Sequence, residues 1–175
     1  MNELSTERLL LRPLVDADVE ALHEFWNDPA VRRYLWDNKP ISTEQVRSVV
    51  ADSQHNFETL GAGYFAVEAA SEPGRLIGFC GYRRFEHGSQ PELLYGLLPE
   101  FWGKGFVTEA ARAVLGLGFE HTSIERVVAS TDTPNQRAVQ VMQRLGMCFQ
   151  ERREYHGLDT VFYALEKADF LNQHA

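Results

Sequence analysis

LLPEFWGKGFVTEA, residues 97–110, sets two glycines and a lysine at the junction between an apolar strand and an alanine-rich helix. Upstream, ELLYGLL at 92–98 reads as a strand. Downstream, Ala110, Ala111, Val114, Leu115 and Phe119 recur at helical spacing as far as His121 and Thr122. A strand that enters a helix through a glycine turn exposes the helix N-terminus, where the first N–H groups lack an intrahelical acceptor and the dipole adds roughly half a positive charge. Such a junction can hold an anion, because Gly103 and Gly105 lack the Cβ that would keep a phosphate at a distance. Standing alone, the motif is read equally well as a turn that only starts a helix.

Two familiar phosphate loops do not fit. A Walker loop needs Ser or Thr after its Gly-Lys, and Lys104 is followed by Gly105. In the dinucleotide fingerprint the third glycine would fall at Thr108, and no acidic ribose reader follows a parallel strand at the expected spacing.

Working outward, ERLLLRPL reads as a first strand, and Asp16 can cap a helix with the stripe Val19, Leu22, Phe25 and Trp26, ended by Asn27, Asp28 and Pro29. Ser42 and Gln45 fit a capping box, with Ile41 and Val46 as its hydrophobic staple, for a helix running to about Phe57. Three strands follow near 64–69, 75–85 and 92–98, separated by SEPG and EHGSQP, and form an antiparallel meander. After the helix from Gly105, IERVVAST is a strand, TPNQRAVQVMQRLG a short helix stopped by Gly146, and the last segment a hairpin turning at His156 and Gly157. One strand-helix-strand crossover spans 92–130. The expected architecture is α/β: a single mixed, mostly antiparallel twisted sheet flanked by about four helices, with residues 1–175 as one domain.

Composition narrows the function. A chain of 175 residues with 44% hydrophobic and 24% charged side chains can bury a single core. No apolar run is long enough to span a membrane, and the N-terminus carries acidic residues where a signal peptide has lysines, so the chain is expected to be cytoplasmic. Seventeen basic against twenty-five acidic residues give a net charge of −8, the wrong sign for a nucleic-acid binder and a suitable one for a cationic partner. Cys80 and Cys148 lie in apolar stretches without ligand spacing and read as inert core thiols; the scattered histidines form no metal motif, so no metal is expected.

Taken together, TERLLLRPL at 6–14 with Asp18, ELLYGLLPEFWGKGFVTEA at 92–110 and ASTDTPNQRAVQVMQRLGM at 129–147 resemble the GNAT N-acetyltransferases, in their RimJ/RimL-like branch, over nearly the whole chain. The resemblance implies the GNAT fold and an acetyl-CoA-binding loop, Gln/Arg-x-x-Gly-x-Gly/Ala, on Trp102, Gly103, Lys104, Gly105, Phe106 and Val107, followed by Thr108. Trp102 and Val107 depart from that pattern, at positions where backbone donors matter more than side chains. The same resemblance places pantetheine contacts at Tyr95, Gly96 and Leu97, and a contact to the coenzyme arm at Asn135. Gly96 inside an apolar strand independently suggests a bulge or the close approach of another backbone; simple packing would also explain it. Asn135 also fits a helix cap.

Acetyl transfer to an amine needs a neutral nucleophile, a proton acceptor and a way to stabilise the departing thiolate. Neutrality at pH 7 costs about 1 kcal/mol for an α-amine and about 4.6 kcal/mol for a lysine, so an N-terminal substrate manages with a weak base or a water relay. Glu92 matches a glutamate of this branch and is the candidate base, roughly 16 Å of extended strand from Leu97 and therefore acting through water. Relatives supply the thiolate proton from a tyrosine or a serine, whose positions here are Met142 and Ala138; Tyr95, Tyr155 or water are the remaining candidates, or the thiolate leaves unaided. Tyr34 and Trp36, with Asp37, fit an acceptor cleft with an aromatic wall and an acidic group, although either ring taken alone reads more readily as a core anchor.

The expected function is acetyl-CoA-dependent N-acetylation of a primary amine, first a protein N-terminus and otherwise a small molecule, by a monomer or homodimer. A non-catalytic CoA-binding regulatory module is the alternative, motivated by Ala138 and Met142.

Overall fold

The computed structural model describes residues 3–84 and 90–174. Among these, eight strands form one sheet: β1 (Leu4–Ser5), β2 (Leu9–Pro13), β3 (Tyr64–Ala69), β4 (Leu76–Arg84), β5 (Pro91–Leu97), β6 (Arg126–Asp132), β7 (Cys148–Tyr155) and β8 (Leu158–Glu166). Their order is β1-β2-β3-β4-β5-β6-β8-β7, antiparallel throughout except between β5 and β6. Six helices flank the sheet: α1 (Val19–Asn27), α2 (Pro29–Arg32), α3 (Thr43–Leu60), α4 (Phe106–His121), α5 (Gln136–Arg144) and α6 (Lys167–Gln173). The mixed α/β sheet and its four principal helices are those expected. The turn expected over EHGSQP and the strand end at Phe85 lie, apart from Gln90 and Pro91, outside the described residues.

Local chemistry explains most element boundaries. The Gln45 amide donates to Ser42 Oγ (3.2 Å) and the Ser42 amide to Gln45 Oε1 (2.8 Å), closing the capping box that starts α3. The helix ends three residues later than expected, where Gly61 takes a left-handed φ of 78°. At α1 the expected cap is corrected: Asp16 to Asp18 form a short 3-10 turn and Asp16 caps nothing. Asp18 is instead claimed by Arg12, whose two Nη atoms donate to its carboxylate at 2.8 and 2.9 Å, while Arg12 Nε donates to Glu68 (3.1 Å). This buried network ties β2, β3 and the entry to α1 together. Asp28 caps the unforeseen α2, accepting from the Ala30 and Val31 amides. The equally unforeseen α6 spans under two turns and buries only Phe170, against Phe119.

Two apolar layers sandwich the sheet. On β3, Phe65, Val67 and Ala69 face α4, whereas Tyr64 and Ala66 face α1 and α3; a strand covered on both faces reads as a continuous apolar run, YFAV, before the Arg12-paired Glu68. α4 packs closely on β4, where Tyr82, fully buried, donates its hydroxyl to Val114 O (2.8 Å). β7 is one of the two sheet edges, and nearly all of its residues are exposed. Cys148, expected in the core, is therefore exposed, and only Cys80 is a buried thiol.

A parallel pair requires a crossover, and α4 supplies the one joining β5 to β6. These strands are in register only at Glu92 with Val128. Beyond that point they part, and the sheet opens beside the N-termini of α4 and α5.

Candidate functional site

The turn before α4 is built to leave amides unpaired. Gly103 and Gly105 have φ of 74° and 79°, and Lys104 between them does not, an alternation that turns successive N–H groups toward one concave side. Gly105 is the N-cap and no side chain caps the helix. The Glu109 amide is the first to bond within the helix, to Gly105 O (3.1 Å), which leaves the Phe106, Val107 and Thr108 amides outside the ladder. A Cβ at Gly103 would meet nothing within 4 Å, and one at Gly105 only Arg8 Nη2 at 3.5 Å. The turn is open. Its donor set and its space suit a diphosphate.

The neighbouring side chains hold the turn without filling it. Trp102 donates its indole N–H to Leu97 O (2.8 Å), fastening the turn to the end of β5, and the Arg137 guanidinium lies 4.2 Å over the Trp102 ring. Phe106 packs against Phe101, Val107 packs on the core, Thr108 is buried and Lys104 is exposed.

Register shows which groups of β5 face the opening. The Leu98 amide bonds directly across to Ile77 O (2.8 Å), so by antiparallel alternation Gly96 and Leu94 also turn their peptide groups to β4, while those of Tyr95 and Leu97 point toward β6. With β6 diverging, the Tyr95 and Leu97 groups border the gap. Trp102 occupies Leu97 O, and the Leu97 N–H stays turned into it. Gly96 pairs with Phe79 without a bulge, and a Cβ there would stand 3.4 Å from both Leu35 and Phe79, close to an ordinary packing contact.

Tyr95 crosses the gap and donates its hydroxyl to Ala138 O in α5 (3.0 Å). Burial, reinforced by Cys80, raises the pKa of this phenol, so it remains a donor. Asn135 caps α5 by accepting from the Ala138 amide (3.3 Å) and donates to Thr131 Oγ1 (3.1 Å). Ala138 and Met142 are both buried and apolar. Tyr155 packs on Phe162 in the β7–β8 hairpin, apart from this wall of the gap.

The opposite face carries the acidic groups. Glu92 is 3% exposed; it accepts from Arg83 Nε (2.9 Å) and from Ser130 Oγ on β6 (3.1 Å), so it stands where the two strands begin to part. Asp132, two residues beyond Ser130, shares that face. Partial burial and the nearby Asp37 charge raise its pKa above the ordinary carboxylate value. Asp37, in the Tyr34–Asn38 segment, thus lies within electrostatic range of the end of β6. Trp36 packs edge-on against Trp26 (5.5 Å), and Tyr34 lies beneath Arg33. Trp36, Asp37 and Asn38 all have left-handed φ, between 52° and 58°, a backbone cost of about 1–2 kcal/mol per residue held in place by the tryptophan pair. Asp132 was missed because an aspartate between a strand and Pro134 reads as a turn residue. Among the described residues no group of three acidic, histidine or cysteine side chains is placed to hold a metal, and no helix is long and apolar enough to cross a membrane.

Comparison with known proteins bears on the family and the fold. The model of the acetyltransferase (GNAT) domain matches residues 8–148. An uncharacterised N-acetyltransferase of Bacillus licheniformis, p20, is 26% identical over 97% of this chain and 99% of its own length. The spermidine N(1)-acetyltransferase of Escherichia coli K12 is 25% identical, covering 81% of this chain and 74% of that protein. Among solved structures, an acetyltransferase from Agrobacterium tumefaciens superposes with a TM-score of 0.81 at 25% identity over 95% of both chains. The ribosomal L7/L12 α-N-protein acetyltransferase RimL, in complex with coenzyme A, superposes with a TM-score of 0.80 at 20% identity over 97% of this chain and 99% of RimL.

Proposed function

This chain belongs to the GNAT acetyltransferase family, whose reaction moves an acetyl group from acetyl-CoA to an amine, and from that premise we propose that its acceptor is a cationic primary amine entering between the Tyr34–Asn38 segment and the open end of β6. One observation carries the reading: the sheet parts after Glu92 and Val128 beside an uncapped, glycine-initiated helix. The unpaired amides at Gly105 to Thr108 bind the diphosphate, and the Tyr95 and Leu97 main chain pairs with the extended arm as an added strand would.

Bound there, acetyl-CoA supplies an activated acyl carbon. Forming the C–N bond and breaking the C–S bond releases one proton from the ammonium and a second from the attacking nitrogen, while the thiolate can take one back. Glu92 accepts a proton through water, with Arg83 and Ser130 fixing its carboxylate. The Leu97 N–H polarises the thioester carbonyl. Ala138 and Met142 can donate nothing, so Tyr95, whose hydroxyl reaches Ala138 O across the gap, is the candidate donor to the sulfur; it would exchange the Ala138 carbonyl for the thiolate. Tyr34 and Trp36 border the acceptor side, Trp36 chiefly by anchoring the segment.

A protein or peptide N-terminus is the first acceptor, because an α-amine loses its proton cheaply at neutral pH. Asp37 and Asp132 together favour a second reading, a small di- or polyamine whose remote ammonium they would hold. A panel of N-terminal peptides and aliphatic polyamines, followed by thiol release, tests both. Saturable CoA binding without thiol release from any amine would overturn the enzymatic reading in favour of a binding module.

Two substitutions refine the test. Glu92→Gln is expected to lower kcat about 10- to 100-fold with the CoA dissociation constant unchanged; unchanged turnover would remove Glu92 as the base. The raised pKa of Asp132 means that this carboxylate protonates at higher pH than an ordinary aspartate, so its attraction for an ammonium fades earlier as pH falls. KM for a cationic acceptor should therefore rise on the acid side. Asp132→Asn should raise KM at neutral pH and flatten that rise, as steady-state kinetics across pH would show.

A further inference from the structure

TERLLLRPL is one of the segments that carry the family resemblance, yet it lies far from the glycine turn in sequence. The fold brings them together. Arg8 Nη1 donates to Lys104 O (2.8 Å), across 96 positions of chain. Arg8 Nε and Nη2 bind Glu109 Oε2 at 2.8 and 2.7 Å, and the Arg8 amide donates to Glu109 Oε1 (2.9 Å). Thr6 Oγ1 donates to the same Oε1 (2.6 Å), and the guanidinium rests 4.4 Å over the Phe106 ring. One side chain thus touches the residue before Gly105 and two residues of the first turn of α4.

We infer that Arg8 is a positioning residue for the diphosphate: it aims the Gly105 amide into the anion site and cancels the Glu109 charge beside it. The inference rests on the reading that this turn holds the diphosphate of acetyl-CoA. The aim follows from peptide geometry. In a planar trans peptide the C=O and the next N–H point in opposite directions, so drawing Lys104 O toward Arg8 turns the Gly105 N–H away from it, to the concave side of the turn. With no Cβ at Gly105 its φ is weakly restricted, so that peptide plane is otherwise loosely held, and no side chain caps the helix to hold it.

The charge follows from the place of Glu109. A carboxylate in the first turn suits the helix dipole but repels an incoming phosphate. Thr6 and the two Arg8 guanidinium N–H groups that converge on Oε2 hold it ionised, turned away and neutralised, so the dipole remains available to the ligand. The shallow groove of about 650 Å³ beside the turn, bordered by Arg8, Gly105, Glu109 and Arg112, leaves this clasp reachable by solvent.

The test compares two ligands. For Arg8→Ala, the dissociation constant of CoA by calorimetry should rise about 30-fold, and KM for acetyl-CoA should rise alike while kcat falls no more than about twofold. KM for acetyl-pantetheine, which lacks the diphosphate, should change less than about twofold. Arg8→Lys should recover part of the CoA affinity, since an ammonium can meet Lys104 O or Glu109 but not both in fork geometry. Adding Glu109→Gln to Arg8→Ala should also recover part, by removing the uncompensated carboxylate. Equal weakening for CoA and acetyl-pantetheine would overturn the inference, leaving Arg8 a plain latch between β2 and α4. So would CoA binding by Arg8→Ala as tight as by the wild type. Failure of the wild-type protein to bind CoA would instead overturn the parent reading of the turn.

Discussion

Gly103→Asp is expected to weaken CoA binding about a thousandfold while the protein stays folded. The position has room, since nothing lies within 4 Å of a Cβ placed there, and aspartate tolerates a left-handed φ of 74° better than most residues. What changes is electrostatic. A carboxylate two residues before the N-cap satisfies the orphan amides of α4 itself, as an N-terminal acid normally does, and so competes with the diphosphate for the same donors. Losing two or three charge-assisted hydrogen bonds, at about 1.5–2 kcal/mol each, removes about 3–6 kcal/mol, or roughly two to four orders of magnitude in affinity. Calorimetric titration with CoA and a thermal melt read the two halves: affinity should collapse while Tm stays within a few degrees or rises. Unchanged CoA affinity would remove the turn from the coenzyme site.

Gly118→Ala should destabilise the fold by about 2–3 kcal/mol, although alanine in a helix interior ordinarily stabilises by about 1 kcal/mol relative to glycine. Gly118 sits in α4 against β4, and its Cβ would stand 2.5 Å from the Tyr82 hydroxyl oxygen and 2.9 Å from Cζ. Tyr82 is fully buried and tied to Val114 O, so it has nowhere to retreat without losing that bond. For a domain of this size the change corresponds to a fall in Tm of roughly 5–10 °C. Tyr82→Phe alone should cost about 1 kcal/mol, because Val114 O keeps its place in the helix ladder. In that background Gly118→Ala should cost at least about 1 kcal/mol less, since the obstructing oxygen is gone. Urea denaturation of the four proteins measures this coupling; additive effects would mean that the helix-sheet contact is looser than its geometry indicates.

Much of the fold was legible because its signals are local. The capping box at Ser42 and Gln45, the glycine stop at Gly146 and the His156-Gly157 hairpin each act over a few residues. Both turn residues have positive φ, as a two-residue hairpin turn needs. Where the reading failed, the deciding contact was distant. Asp16 looked like a helix cap until Arg12 and Glu68 recruited Asp18 into the network that sets the entry to α1. Cys148 looked buried from its apolar neighbours, but a strand's burial depends on its place in the sheet, and β7 is outermost.

The candidate site divides in the same way. By itself the sequence determined that a glycine turn joins an apolar strand to α4, that Asn135 opens α5, and that no donor stands at Ala138 or Met142, because residue type and spacing along one element carry all of this. Only the tertiary structure decided that β5 and β6 part after Glu92, that Tyr95 spans the gap to α5, that Asp37 comes within electrostatic range of Asp132, and that Arg8 grips Lys104 and Glu109. Each of those facts joins separate elements, and their distances follow from how the strands diverge and the helices pack, which no local pattern encodes.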